Sequence, residues 1–333
     1  MKNRRFLALG AGLAALLAAR TAFGQQEALP KIRIELLTRA VSKIPLIIAQ
    51  DQGFYKKHGL DVELWMPEPE YPNAIEITVE RPEKPDLSID GGTPMINNMT
   101  TDARYPKRVI LASTDCSVRW HIIGRKGLTR LEDLKGKRLG ISNPRAMTSF
   151  VARLLAKRMG WHHEQDISIM SNAQTTAALD EGLVDAFVAD ERYYATAVQK
   201  GYPVLADTSE WNTSIAGNSI RAEASWLKDP AKREIAKRFL MATLEGMAVY
   251  HKNREQTLEI MQRWHGVPRE VASLLYEEGK AMPRKMYPCY DGIKNTMELF
   301  DSNEMRKHKP TDFYDDSLIK ELDASGFIDR LYQ

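Results

Sequence analysis

Basic side chains set between strand ends and helix starts can hold an anion, and four stretches of this 333-residue sequence are candidates to do so. In "TRAVSKIP", Arg39, Ser42 and Lys43 precede Pro45, a residue suited to the first turn of a helix because its missing N–H needs no partner there. Free amides and the positive dipole end at such a start favour an anion. "GGTP" adds Thr93 as a helix N-cap, and "SNPRAMTSF" supplies Ser142, Arg145, Thr148 and Ser149 at a further helix start. Arginine there would grip a carboxylate or sulfonate through two parallel bonds. "ADERYY" brings Asp190, Arg192 and Tyr193, with Asp190 open to a ligand amine or to pairing with Lys43 or Arg145. Trp65 and Trp120 would line an apolar wall of a pocket or sit in the core. Each candidate has a plainer alternative: solvated loop charge for Arg39 and Lys43, helix capping alone for Thr93, Thr148 and Ser149. His162 and His163 lack Cys, Asp or Glu at zinc spacing and read as a solvated loop. No Walker loop, G-x-S-x-G elbow or H-E-x-x-H motif occurs, which lowers the weight of an enzyme without removing it; no metal or cofactor is expected.

These stretches need strands and helices to hold them. Ile32, Ile34 and Leu36 alternate as in a half-buried strand, and Leu60, Val62 and Leu64 repeat the pattern. Between them, Leu46–Gln52 reads as a helix stopped at Gly53, and "FYKKHG" as a turn stopped at Gly59. The three pieces make a βαβ unit with parallel strands. "PDLSID" and "RVILAST" read as further strands. From residue 120 a second unit opens with "TRLE", a capping box of Thr129 and Glu132, and continues through the strands "KRLGIS", "ISIM", "VDAFVA" and "PVLA" with helices between. That alternation over residues 137–206 implies a parallel sheet covered on both faces. After residue 226 helices dominate, beginning with an amphipathic one at Asp229 and Pro230. In open sheets of this kind ligands bind outside the carboxyl ends of the strands, where all four stretches lie.

Length allows about two domains, and an apolar fraction of 43% can fill their cores. Residues 1–24 have the layout of a signal peptide, with Lys2, Arg4 and Arg5 ahead of an apolar run and small residues at Ala22 and Gly24. Arg20 interrupts the run short of the roughly 20 residues a spanning helix needs. A periplasmic protein starting near Gln25 is expected, its export route open. Removing this segment takes four basic and no acidic residues, leaving the charge balance near zero. A near-neutral surface without a Lys/Arg block argues against general nucleic-acid binding. Cys116 and Cys289 are either a disulfide or two buried small hydrophobes.

With those residues laid out, the chain resembles ABC-transporter solute-binding proteins of the nitrate/sulfonate/taurine type, a family that also holds binders of thiamine-pathway pyrimidines. The resemblance covers most of the mature chain and rests on "IPLIIAQDQGFYKKHGLDVEL", "LTRLEDLKGKRLGISNP" and "LDEGLVDAFVADERYYATAVQKG", in that order. It implies an α/β fold of the type II periplasmic-binding kind, with two lobes, a ligand cleft and a two-segment hinge. Lobe one would be residues 26–115 plus 220–333, lobe two residues 116–219. It further implies a monomer that binds a small anion, a sulfonate or a carboxylate, and hands it to a membrane permease without breaking a bond. The alternatives are a thiamine-precursor pyrimidine held by Trp65, Trp120 or Tyr193 with Asp190 accepting from a ring amine, a pyrimidine-synthase-like enzyme, and a sensor that transports nothing. Two departures bear on the ligand. Members often carry a Glu-Pro pair where this chain has Asp190, Glu191 and Arg192, and a Gly-Ser or Gly-Thr pair where it has Ala146, Met147, Thr148 and Ser149.

Overall fold

The computed structural model describes residues 29–66 and 85–333. The expected signal segment therefore lies outside the described residues. The described residues from Lys31 onward form one compact unit. Its strands are β1 (Lys31–Glu35), β2 (Asp61–Trp65), β3 (Leu87–Gly91), β4 (Arg108–Ser113), β5 (His121–Gly124), β6 (Arg138–Gly140), β7 (Ser168–Met170), β8 (Ala186–Ala189), β9 (Val204–Asp207) and β10 (Asn218–Glu223). The α-helices are α1 (Ile44–Asp51), α2 (Phe54–Lys57), α3 (Gly92–Thr101), α4 (Met147–Met159), α5 (Thr176–Asp180), α6 (Glu191–Gln199), α7 (Pro230–Lys252), α8 (Arg254–His265), α9 (Arg269–Gly279), α10 (Tyr290–Leu299), α11 (Ser317–Ala324) and α12 (Phe327–Arg330).

Two five-stranded sheets result, sheet one in the order β2-β1-β3-β10-β4 and sheet two in the order β7-β6-β8-β5-β9. The βαβ unit forms as expected: β1 and β2 pair in parallel from Lys31 opposite Asp61 to Glu35 opposite Trp65. Gly53 and Gly59 end their turns at φ 69° and 70°, the left-handed region open to glycine at no steric cost. α7 starts where Asp229 accepts the Ala231 N–H at 2.9 Å, with Pro230 at its first position. Its apolar side puts Phe239, Leu240, Leu244 and Met247 into a core shared with Ile34, Leu46 and Ile48.

Neither sheet is purely parallel. β6 runs parallel to β7 and β8, but β5 is antiparallel to both β8 and β9. β10 likewise runs antiparallel between β3 and β4. The expected parallel sheet thus holds only for its β7-β6-β8 half. β5 and β10 carry the difference, because they are where the chain enters the second sheet and re-enters the first. The two passages touch: Val118 N–H donates to Thr213 O at 3.1 Å and Ile215 N–H to Cys116 O at 3.0 Å. Beside them a disulfide joins Cys116 to Cys289, just ahead of α10, with Cα atoms 5.4 Å apart.

Two local expectations are corrected. Thr93 lies inside α3 and caps nothing; its hydroxyl meets Ala216 O and Thr296 Oγ1 at 3.3 and 3.0 Å, since the buried side of α3 faces those segments. The acid that caps the turn after residue 129 is Asp133, not Glu132. Its carboxylate accepts the N–H groups of Thr129 and Arg130 at 3.0 and 3.2 Å, because the turn tightens into a 3₁₀ helix, Leu131–Leu134.

Candidate functional site: a cleft between two sheets

A cleft of about 360 Å³ opens where the carboxyl ends of strands from both sheets converge. Sheet one contributes the loop after β1 (Thr38 to Ser42), Asp90 of β3, Pro94 of α3, Asp115 after β4 and Asn218 at the start of β10. Sheet two contributes Arg119 and Trp120 ahead of β5, Ser142 and Asn143 after β6, the first turn of α4, Gln174 after β7 and Asp190 after β8. Glu278 of α9 completes the rim. Strand direction explains the two odd members. β5 and β10 run antiparallel to their neighbours, so their amino ends lie beside the carboxyl ends of β8 and β3.

Most charges here already have company. Arg39 is 4% exposed, donates from Nη1 to Trp264 O at 2.7 Å and stacks its guanidinium 4.4 Å from the Trp264 ring centre. Next to it, burial and the Arg39 charge push the His265 imidazole down to about 3. Arg119 Nη2 donates to Asp115 Oδ1 at 2.7 Å and Nη1 to Glu278 O. Behind Asp90 the buried Arg221 stands 3.7 Å away and donates to Gly91 O at 3.1 Å. One arginine therefore reaches the cleft from each sheet's side, among four carboxylates.

The hydroxyl and amide groups are just as firmly placed. Thr148 Oγ1 accepts the Ser142 N–H at 3.1 Å and lies 2.8 Å from Ser142 Oγ. Asn218 Nδ2 donates to Ser42 Oγ at 2.7 Å across sheet one. Trp120 is fixed through its backbone, which exchanges bonds of 2.7 to 2.9 Å with Thr208. Met147 crosses the floor towards Gly91, where an added Cβ would come 2.4 Å from its sulfur.

Of the residues expected from sequence to touch a ligand, the cleft brings together Ser142, Thr148 and Asp190, with Arg39, Ser42 and Trp120 beside them. The others lie elsewhere. Lys43 is fully buried, and its ammonium bonds Leu36 O, Thr38 O and Thr38 Oγ1, tying up the loop that forms the cleft wall. Arg145 spans the sheets outside the cleft, donating from Nη1 to Asn98 Oδ1 at 2.9 Å while its carbonyl accepts from Asn97 Nδ2 at 3.1 Å. Thr93 faces the interior, Trp65 is buried at the end of β2, and Ser149 opens onto a different hollow. The Arg192 side chain lies outside the described residues. Sequence reasoning missed Asp90, Asp115, Arg119, Gln174, Asn218 and Glu278; the strand-end rule would have found Asp115, which follows "RVILAST" directly.

Comparison with known proteins bears on the family and the fold. A family model described as NMT1/THI5 like matches residues 41–257. The nitrate import ATP-binding protein NrtC of Synechocystis sp. is 24% identical over 186 residues, which are 50% of this chain and 28% of that protein. The chain thus spans under a third of that relative's length. Among solved structures, the periplasmic nitrate-binding protein NrtA from Synechocystis superposes with a TM-score of 0.65 at 15% identity, over 92% of this chain and 91% of that one. The periplasmic aliphatic sulphonate binding protein SsuA from Escherichia coli does so with a TM-score of 0.59 at 18% identity, over 81% and 85%. The fold is therefore the two-lobed α/β fold of periplasmic binding proteins.

Proposed function

From the premise that the chain belongs to the NMT1/THI5-like family, we propose that it is the solute-binding receptor of an ABC importer, working in the periplasm. It takes a small organic anion into the cleft and delivers it to a membrane permease, with no bond made or broken. Residues 26–115 and 220–333 act as one lobe and 116–219 as the other.

One observation carries this reading: Arg39 and Arg119 reach a single small-molecule-sized cleft from opposite sheets. A ligand shifts an open–closed balance only by its differential affinity, so groups from both sides are what closure requires. The names of the neighbours, nitrate- and sulphonate-binding, support an anion. Four carboxylates on the same walls oppose a bare inorganic ion. The solute should carry its negative group at one end and hydrogen-bond donors towards Asp90 and Asp190 at the other.

Trp120 beside Asp190 favours a second reading, a pyrimidine stacked on the indole with a ring amine on the carboxylate. A cysteine-dependent enzyme is disfavoured because both thiols are consumed in the disulfide.

The test is a thermal-shift screen of the exported chain, refolded free of co-purified solute, against sulfonates, carboxylates, nitrate and pyrimidines. A ligand at a hundred times its dissociation constant stabilises the native state by about 2.7 kcal/mol. A shift with an organic anion supports the first reading and one confined to pyrimidines the second. No shift with any member counts against a solute receptor of either kind.

A further inference from the structure

Behind the first turn of α4, on the side away from the cleft, lies a crevice of about 330 Å³. Pro144, Ser149 and Arg153 form one wall, and Ser168 of the edge strand β7 stands on the other, with His163 and Glu164 at the side. Ser149 and Arg153 are four residues apart on one helix and share a face. The Ser149 side chain is 2% exposed and its hydroxyl, which opens onto the crevice, makes no hydrogen bond with any described residue. Arg153 is half-buried. Its Nη1 donates to His163 Nε2 and Leu299 O at 3.0 and 3.3 Å, its guanidinium packs 4.8 Å from the Phe300 ring centre, and its Nε is buried with no partner among the described residues. It forms no ion pair among the described residues, unlike Arg119 in the cleft and Arg221 behind it.

A half-buried guanidinium whose opposing carboxylate, Glu164, stands off at the exposed mouth and forms no ion pair with it is relieved by a bound anion, and its planar fork suits a carboxylate, sulfate or phosphate. The hydroxyls of Ser149 and Ser168 add donors. We propose that this crevice is a second ligand site, for a small oxyanion held by Arg153 and Ser149. It shares its wall with the cleft. Ser142, Asn143 and Thr148 face one hollow, and Pro144 and Ser149 the other. Arg153 also touches the end of α10, whose start is fixed by the disulfide, so an oxyanion here acts on both the cleft wall and the segment bridging the sheets. Glu164 is the opposing charge. Its side chain is 74% exposed and its carboxylate lies 3.7 Å from His163 Nε2, at the mouth of the site.

The test is a titration of the exported, isotope-labelled chain with sodium sulfate, phosphate or acetate at constant ionic strength, followed by amide chemical shifts. Sulfate and phosphate against acetate separate an inorganic from a carboxylate ligand. Saturable shifts at Ser149, Arg153 and Ser168 are expected. Ser149→Ala should weaken binding several-fold, and Glu164→Gln should strengthen it by a similar factor. Arg153→Gln should abolish it, with Arg153→Lys as the variant that keeps the charge if glutamine unfolds the helix. Linear, unsaturable shifts overturn the proposal, as do shifts confined to the cleft around Thr38 and Asn218 or identical affinities in the Ser149 and Glu164 variants. None of these outcomes depends on which solute the cleft takes.

Discussion

Thr148 and Ser149 are adjacent in the chain and face different hollows, Thr148 the cleft between the sheets and Ser149 the crevice behind it. Both side chains are buried, 5% and 2% exposed, so the divergence is fixed by the first turn of α4 and not by loose rotamers. The consequence is a separable pair of effects. Thr148→Val keeps the shape but leaves the Ser142 N–H without its acceptor, which costs about 1–2 kcal/mol and weakens solute binding through the displaced Ser142. Ser149→Ala, measured in chloride, leaves cleft affinity unchanged. Calorimetric titration of both variants with the solute found in the screen checks the split; equal losses in both would mean the turn moves as one body.

Lys43 supplies a second prediction. Its ammonium serves Leu36 O, Thr38 O and Thr38 Oγ1 while fully buried, so it positions the cleft-lining Thr38 instead of meeting the solute. Lys43→Met retains the stem but strips a shared cation from two carbonyls. Unfolding stability should fall by about 2–3 kcal/mol together with affinity. A variant that loses affinity at undiminished stability would instead place Lys43 on the ligand.

The disulfide gives a third. Cys116 and Cys289 are 173 residues apart, and a cross-link across so long a loop removes much of the unfolded chain's freedom. Chain-entropy arguments put that near 5 kcal/mol, and losses on removal run from about 2 to 5 kcal/mol. The double variant Cys116→Ser, Cys289→Ser should therefore show a urea midpoint clearly below that of the parent with a similar slope. An unchanged midpoint would mean that the passage between the sheets is held by its hydrogen bonds alone.

How far the sequence revealed all this depends on which physical signal each element carries. The β1–α1–β2 unit was legible because alternation, a proline near the helix start and two left-handed glycines all agree there. β10 was not: Asn218, Ser219 and Arg221 give it a polar sequence, and they are buried by pairing with β3 and β4 on either side. With β10 unread, Asn218 and the mixed character of sheet one were unread too. Strand ends nominated Ser142, Thr148 and Asp190, and the fold places all three on the cleft wall, since that rule depends only on topology. Glu278 arrives from a helix 163 residues after Asp115, a contact that no local pattern encodes. Lys43 and Arg145 were nominated by their charge, and charge alone does not reveal which acceptors the fold brings to it.

His265 yields the last prediction, in pH. Burial holds its imidazole down to about 3, against about 6.5 for the group in an unfolded chain. The unfolded chain therefore takes up a proton below pH 6.5 that the folded protein refuses until near pH 3. The contribution of the neutral buried ring is complete above pH 6.5 and is lost as pH falls, at about 1.4 kcal/mol per pH unit once the unfolded group is protonated. His251 and His121, also pushed down chiefly by burial, act in the same direction. Urea unfolding between pH 7 and 5 should show stability falling with acidity. His265→Gln, which cannot titrate, should lower that slope by nearly one proton's worth below pH 6 whatever it does to stability at pH 7. A slope identical to the parent's would show that His265 is protonated in the fold, and the buried contact with Arg39 would then have to be rebuilt around a second positive charge.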